Sequence, residues 1–150
     1  MSNAELRDLY RELILDHSRK PRHFGRLADA THMADGINPL CGDKLRLYLR
    51  IGDGKIESSS FEGTGCAISV ASASLMTDAI VGLPIEVAEN CFTAVTDRLT
   101  GGVSDLNPNV EKIAALEGVR DFPSRVKCAT LAWHALHAAL NNDPAPATTE

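Results

Sequence analysis

The sequence has no long hydrophobic run and no block of basic residues. Its apolar stretches fall far short of the roughly 20 residues that a membrane-spanning helix requires, and its polar, amphipathic start lacks the charged-then-apolar pattern of a secretory signal. With 15 Lys and Arg against 20 Asp and Glu, the net charge is -5 at pH 7. The chain therefore lacks the cationic surface that nucleic acids and anionic membranes attract. We expect a cytoplasmic protein that binds neither nucleic acid nor a membrane.

The composition is that of an ordinary folded domain. The chain has 150 residues, of which 44% are hydrophobic and 23% charged, and these values exclude intrinsic disorder and suit one core. Four cysteines are present. Because no secretory signal accompanies them, they are expected to serve metal or sulfur chemistry rather than a disulfide framework.

Hydrophobic spacing predicts one helix, then strands, then the remaining helices. Leu45, Leu47 and Leu49 alternate with polar residues as in a half-buried strand, and Gly52-Asp53-Gly54 predicts a hairpin turn. Helical spacing predicts helices over about 3–17, 66–81, 84–100, 108–117 and 124–140. We predict an α+β fold: a small three-stranded antiparallel sheet with about five helices gathered on one face. We predict a single domain over 1–140, followed by a disordered tail rich in Pro, Ala and Thr over 141–150.

Three of the cysteines stand beside residues that loosen the backbone or supply positive charge. Cys41 lies in a loop sequence between Pro39 and Gly42, Cys66 follows two glycines, and Cys128 follows Arg125 and Lys127. Cys66 and Cys128 also lie near the predicted starts of helices, where the dipole and the unpaired N–H groups favour thiolate over thiol. These three side chains are candidate metal ligands or nucleophiles.

A carboxylate accompanies the first of these cysteines. Asp43 lies two residues after Cys41, so both side chains are able to face one point of a loop, and three sulfurs with one carboxylate suit zinc or iron. The spacing gives no further support, because 24 residues separate Cys41 from Cys66 and 61 separate Cys66 from Cys128, unlike a zinc finger. The alternative is three unrelated thiols, since free cysteine is among the most often buried residues.

Three motifs around these cysteines resemble the scaffold family of iron–sulfur cluster assembly, of the IscU/NifU N-terminal type. They read NPLCGD at 38–43, FEGTGCAIS at 61–69 and RVKCATL at 125–131, and the resemblance covers roughly residues 5–140. Two features resemble the SufU branch of that family. Lys127 stands where IscU-type proteins have histidine, and the stretch over 101–121 looks like an insertion that SufU-type members carry.

The resemblance implies a chemistry for these residues. It implies zinc held by Cys41, Asp43, Cys66 and Cys128, and sulfur accepted by Cys41 from the persulfide of a SufS-type cysteine desulfurase. Other SUF cluster-assembly proteins are further expected partners, and no independent turnover of a small molecule is expected. Arg125, one turn before Cys128, is a candidate guide for the anionic persulfide or a partner for Asp43, the alternative being a solvated helix-start charge. In the other interpretation the three cysteines and Asp43 hold iron or a nascent iron–sulfur cluster, and the protein is a scaffold.

The remaining candidates are weaker. Cys91 lies in the apolar stripe of its predicted helix, so we expect it in the core. His134 and His137 are three residues apart on a helix, but no carboxylate or cysteine at helical spacing completes a metal site, so we expect packing roles. A cysteine hydrolase with a histidine base is disfavoured, because no histidine neighbours Cys41, Cys66 or Cys128 in sequence.

Overall fold

The computed structural model describes residues 3–149, so Met1, Ser2 and Glu150 lie outside the described part. The predicted α+β class is confirmed, with five helices and four strands in the described residues. In chain order these are α1 (Asn3–Arg19), β1 (His32–Asn38), β2 (Asp43–Gly52), β3 (Lys55–Thr64), α2 (Ala67–Ile80), α3 (Ile85–Leu99), a 3₁₀ helix (Pro108–Asp121), α4 (Pro123–Leu140) and β4 (Ala147–Thr148). None of the described helices combines the length and apolar character that crossing a membrane requires.

The sheet has the strand order β3-β2-β1-β4. The pairs β1–β2 and β2–β3 are antiparallel, which confirms the pairing predicted for the three-stranded sheet. Asp53 and Gly54 both have positive φ angles, 53° and 74°, which is the backbone that a two-residue Asp-Gly hairpin adopts. The predicted β2–β3 hairpin is therefore confirmed.

The fourth strand was not predicted. Ala147 and Thr148 pair in parallel with Gly36 and Ile37 of β1, and the backbone N–H of Thr149 donates to the carbonyl of Ile37 at 3.3 Å. This strand lies in the segment whose composition predicts disorder, and it makes the sheet mixed. The unpaired backbone groups of an edge strand accept a short segment with little regard to its side chains, so composition does not reveal this pairing.

The core lies between one face of the sheet and the helices. Leu45, Leu47 and Leu49 of β2 point to this face and are buried, and α2 and α4 pack across it. Helices α1 and α3 and the 3₁₀ helix pack against α2 and α4 in turn, as the predicted one-sided arrangement requires. Trp133 of α4 is fully buried at the centre, and its Nε1–H donates to Ser72 Oγ of α2 at 3.2 Å.

The helix predicted over 108–117 is a 3₁₀ helix that continues to Asp121. Gly118, the residue after the predicted end, does not stop it, because Val119 beyond that glycine is buried in the core and the backbone continues to turn. The side chain of Asn107 accepts a hydrogen bond from the N–H of Asn109 at 2.9 Å and so caps the start of this helix.

A buried histidine joins α1 to α2 and makes stability depend on pH. His17 is 3% exposed, its Nδ1 is hydrogen-bonded to Ser74 Oγ at 2.7 Å, and the N–H of Arg22 donates to the same oxygen at 2.8 Å. Burial, followed by the positive charge of Arg22, lowers the pKa of His17 from its ordinary 6.5. Because the unfolded chain then binds this proton more readily than the folded chain, the stabilisation is present above the unfolded pKa and is lost as the pH falls.

We predict that the free energy of unfolding decreases between pH 7 and pH 5, with a contribution from His17 of at most about 1.4 kcal/mol per pH unit. His17→Gln keeps a hydrogen-bond donor but removes the titrating ring, so its stability should vary less with pH. Urea unfolding of both proteins at pH 5, 6 and 7 measures the difference. Equal pH dependences for the two proteins would contradict this role for His17.

Candidate metal centre

The loop between β1 and β2 places one thiol in solvent and one carboxylate in the interior. Asn38, the last residue of β1, pairs with Asp43, the first residue of β2. The N–H of Gly42 donates to the carbonyl of Asn38 at 2.9 Å and closes the loop. Gly42 has a φ of +72°, a backbone that glycine adopts readily. Cys41 is thereby exposed at the tip of the loop, while Asp43 is fully buried.

The second thiol stands where β3 passes into α2. Cys66 is the N-cap of α2, its Sγ accepts from the N–H of Ser69 at 3.4 Å, and its own N–H donates to Asp43 Oδ1 at 2.9 Å. A Cβ at Gly65 would lie 2.7 Å from that same Oδ1, so the missing side chain leaves space for the carboxylate. The start of α2 therefore forms one wall of a cradle around Asp43.

The third thiol comes from the opposite end of the chain. Cys128 lies in the second turn of α4 and is 2% exposed. The side-chain Nδ2 of Asn38 donates to Cys128 Sγ at 3.4 Å and to Asp43 Oδ2 at 3.2 Å. Helix α4 thus adds a buried sulfur to the carboxylate that the β1–β2 loop presents.

Three ligand atoms converge at this point. One atom each from Cys41, Asp43 and Cys128 lie within 4.8 Å of one another, the one such group of three or more in the described part of the chain. Ligands bonded at about 2.0–2.3 Å to one ion lie within about 4.6 Å of one another, so small side-chain adjustments allow these three to share an ion. Cys66 stands outside this group of three, although its thiol neighbours Cys128. Sulfur with a single carboxylate is a donor set that fits zinc.

The electrostatics of the cluster also fit a cation. Burial is the largest cause of a raised pKa for the Cys128 thiol, and hydrogen bonding with Asp43 and with the thiols of Cys41 and Cys66 raises it further. A thiolate at this buried sulfur is unfavourable unless positive charge compensates it. A bound metal ion supplies that charge and lowers the pKa of the Cys128 thiol.

Arg125 lies outside this cluster. It is exposed in the first turn of α4, with its guanidinium carbon 4.8 Å from the centroid of the Phe122 ring. In the residues that the structure describes, the carboxylate of Asp43 accepts from Asn38 and from the N–H of Cys66 and is hydrogen-bonded with the Cys128 thiol, but Arg125 makes no hydrogen bond to it.

The weaker candidates have structural roles. Cys91 is buried in the hydrophobic core, so that prediction is confirmed. His137 Nδ1 is hydrogen-bonded to Glu89 Oε2 at 2.8 Å, and its ring stacks on Phe92 with centroids 4.6 Å apart. The ring of His134 meets the same phenylalanine edge-on. Both histidines therefore pack α4 against α3.

The sequence analysis assigns no function to Asn38, although the first cysteine motif contains it. The structure shows that its side chain contacts both Asp43 and Cys128. A signal was present nonetheless: Ala34, Gly36 and Asn38 alternate on the core-facing side of β1, and a polar side chain in that series requires a partner in the interior.

Comparisons with known proteins agree with the motifs. The family described as NifU-like N terminal domain matches residues 9–129. The chain is 46% identical over 138 residues to the zinc-dependent sulfurtransferase SufU of Bacillus subtilis strain 168, covering 92% of this chain and 93% of that protein. It is 38% identical over 140 residues to the iron-sulfur cluster assembly scaffold protein IscU of Streptococcus pyogenes serotype M1, covering 93% of this chain and 87% of that protein.

A solved structure gives the same result for the fold. It is a crystal structure of a candidate iron-sulfur cluster assembly scaffold protein for the SUF system, from Fervidobacterium islandicum AW-1. It superposes on this chain with a TM-score of 0.79 at 32% sequence identity, covering 93% of this chain and 99% of that one.

Proposed function

Since the chain belongs to the family of NifU-like N-terminal domains, we propose that it acts in iron–sulfur cluster biogenesis as a zinc-dependent sulfur acceptor. The observation that carries the proposal is the convergence of Cys41, Asp43 and Cys128 on one point. The similarity to a zinc-dependent sulfurtransferase over nearly the whole chain supports it. The donor of the sulfur is a cysteine desulfurase of the SufS type, which carries it as a cysteine persulfide.

The zinc ligands in this proposal are Cys41, Asp43, Cys66 and Cys128. Zinc, when bound, supplies a redox-inert positive charge that keeps the thiolates deprotonated. Asp43 is the hard oxygen donor in an otherwise soft set, and its carboxylate is held by Asn38 and by the N–H of Cys66. These contacts orient the carboxylate whether or not an ion is present.

Cys41 is the sulfur acceptor among the three thiols. Cys128 is buried, and the sulfur of Cys66 caps α2 by accepting a hydrogen bond from the N–H of Ser69. Cys41 instead lies at the loop tip between Gly42 and Leu40, a leucine that is 64% exposed. A thiol on an exposed loop is able to enter the pocket of a partner while the sheet and helices stay in place.

The transfer is a thiolate exchange that balances without an oxidant or a reductant. The Cys41 thiolate attacks the terminal sulfur of the desulfurase persulfide and forms a new S–S bond. The S–S bond of the partner breaks, and its cysteine leaves as a thiolate. The product is a persulfide on Cys41. Arg125, exposed one turn before Cys128, supplies a positive charge that guides the anionic persulfide toward the loop.

A second candidate function is a scaffold for a nascent iron–sulfur cluster. The observation that favours it is the similarity to IscU, which is named as a scaffold protein. Cys41, Cys66 and Cys128 are suitable cluster ligands. In that function the cluster is cargo assembled from iron and sulfide, and it takes the place of a resident zinc ion.

Native mass spectrometry tests the two functions. The protein is purified without oxygen and without added metal, and the metal and sulfide on each chain are counted. We predict one zinc per chain with no sulfide, and less zinc in Asp43→Ala purified in parallel. Iron together with sulfide would support the scaffold instead. A wild-type chain without any metal would contradict the shared site.

A further inference from the structure

We propose that Asn38 is a positioning residue of the metal centre: its side-chain amide fixes Asp43 and Cys128 relative to each other and so determines how tightly the centre holds its ion. The inference rests on the proposed function, because it concerns the same zinc ligands. It states that a residue that is not itself a ligand, Asn38, controls the affinity of the centre for its metal.

The geometry places one amide nitrogen between two ligands from different elements. Asn38 is fully buried at the end of β1. Its Nδ2 donates to Asp43 Oδ2 at 3.2 Å and to Cys128 Sγ at 3.4 Å. Asp43 begins β2, whereas Cys128 lies on α4. The amide is therefore a polar link between the β1–β2 loop and the helix that packs over it.

These contacts orient the carboxylate before any ion is bound. Asp43 Oδ1 accepts from the N–H of Cys66, and Oδ2 accepts from Asn38. With a donor on each oxygen, rotation of the carboxylate is restricted and the remaining lone pairs have fixed directions. Partners that orient a metal ligand in this way typically change metal affinity 10- to 100-fold when they are removed.

The side-chain oxygen of Asn38 indicates that packing alone does not favour asparagine at this position. Asn38 Oδ1 is buried and has no hydrogen-bond partner among the described residues. An unsatisfied buried acceptor is destabilising, and an apolar side chain of similar size avoids that cost. If the side chain only filled space, leucine would therefore be the more favourable residue at this position. The two hydrogen bonds that Nδ2 donates explain why asparagine is present instead.

Substitution of the side chain should leave the loop intact. The hydrogen bond that closes the loop joins the N–H of Gly42 to the backbone carbonyl of Asn38, and neither atom belongs to the amide. Asn38→Leu removes both the donor and the unsatisfied acceptor at nearly constant volume. Asn38→Ala, which cannot introduce a clash, provides the same comparison if leucine prevents folding.

The experiment measures zinc affinity by competition with a chromogenic chelator, beside thermal unfolding of the metal-free protein. We expect Asn38→Leu to bind zinc 10- to 100-fold more weakly while its metal-free form unfolds no more than a few degrees from wild type. The visible spectrum of the Co²⁺-substituted protein should also change, because the angles between the ligands change. An unchanged zinc affinity, or an affinity loss with an equal loss of metal-free stability, would overturn the proposal.

Two further variants separate this inference from the proposed function. Ser59→Ala is the matched control: Ser59 is also buried, and its Oγ donates to the carbonyl of Thr77 away from the centre, so zinc affinity should not change. Cys128→Ala tests the centre itself. If Cys128→Ala binds zinc like wild type, the proposed zinc centre fails. If Cys128→Ala loses zinc but Asn38→Leu does not, only the positioning role fails.

Discussion

Cys41→Ala should accept no sulfur from a cysteine desulfurase, and sulfide release by that enzyme should stay at the level seen without this protein. The reason is geometric, since Cys41 is the thiol at the exposed tip of the β1–β2 loop. Cys66 caps α2 and Cys128 is buried in α4, so neither replaces it as the attacking group. The measurements are sulfide release from cysteine under a reductant and the mass of one added sulfur atom on the chain.

The matched control is Cys91→Ala. Cys91 is a thiol of the hydrophobic core and lies outside the cluster of ligand atoms. Its removal should leave sulfur acceptance at the wild-type level, with at most a moderate loss of stability from the cavity. If Cys41→Ala still stimulates the desulfurase normally, the relay through Cys41 is wrong, and Cys66, the other exposed thiol, becomes the acceptor to test.

The local parts of the fold could be predicted because their signals lie within a few residues. The alternation of Leu45, Leu47 and Leu49 determines which face of β2 is buried, and Asp53-Gly54 determines where the hairpin turns. The nearness of Cys41 to Asp43 is likewise a consequence of one short loop. For these features sequence spacing and spatial distance carry the same information.

The features that the sequence spacing does not predict depend on how segments that are distant in the chain pack together. That Cys128 meets Asp43 follows from the packing of α4 on β1 and β2, and the 61 residues between Cys66 and Cys128 contain no sign of it. The resemblance to a known family supplied that connection, not the spacing. The role of Asn38 requires in addition the pairing of Asn38 with Asp43. The strand β4 depends on an open sheet edge, which side-chain patterns do not encode.

Gly63→Ala should destabilise the protein by about 3 kcal/mol or more, through strain and overpacking together. Gly63 has a φ of +150°, and a Cβ there would lie 2.1 Å from the carbonyl oxygen of Lys44 and 2.7 Å from the Cα of Leu45. These are backbone atoms of the paired strand β2, so no side-chain rotation relieves the contact. The end of the β2–β3 pairing must open, and that end carries Asp43 on β2 and leads into Cys66 after β3.

The measurement is thermal unfolding with zinc content determined on the same samples. For a chain of this size about 3 kcal/mol corresponds to a fall of about 6–12 °C in the melting temperature, and zinc content should fall with it because the two ligand-bearing ends separate. Gly118→Ala is the matched control: beyond its chain neighbours and its own helix backbone, no atom lies within 4 Å of the added Cβ, so its melting temperature should stay near wild type. A Gly63→Ala protein as stable as Gly118→Ala would contradict the predicted strain, and an unchanged zinc content would show that the metal centre does not depend on the β2–β3 pairing at this end.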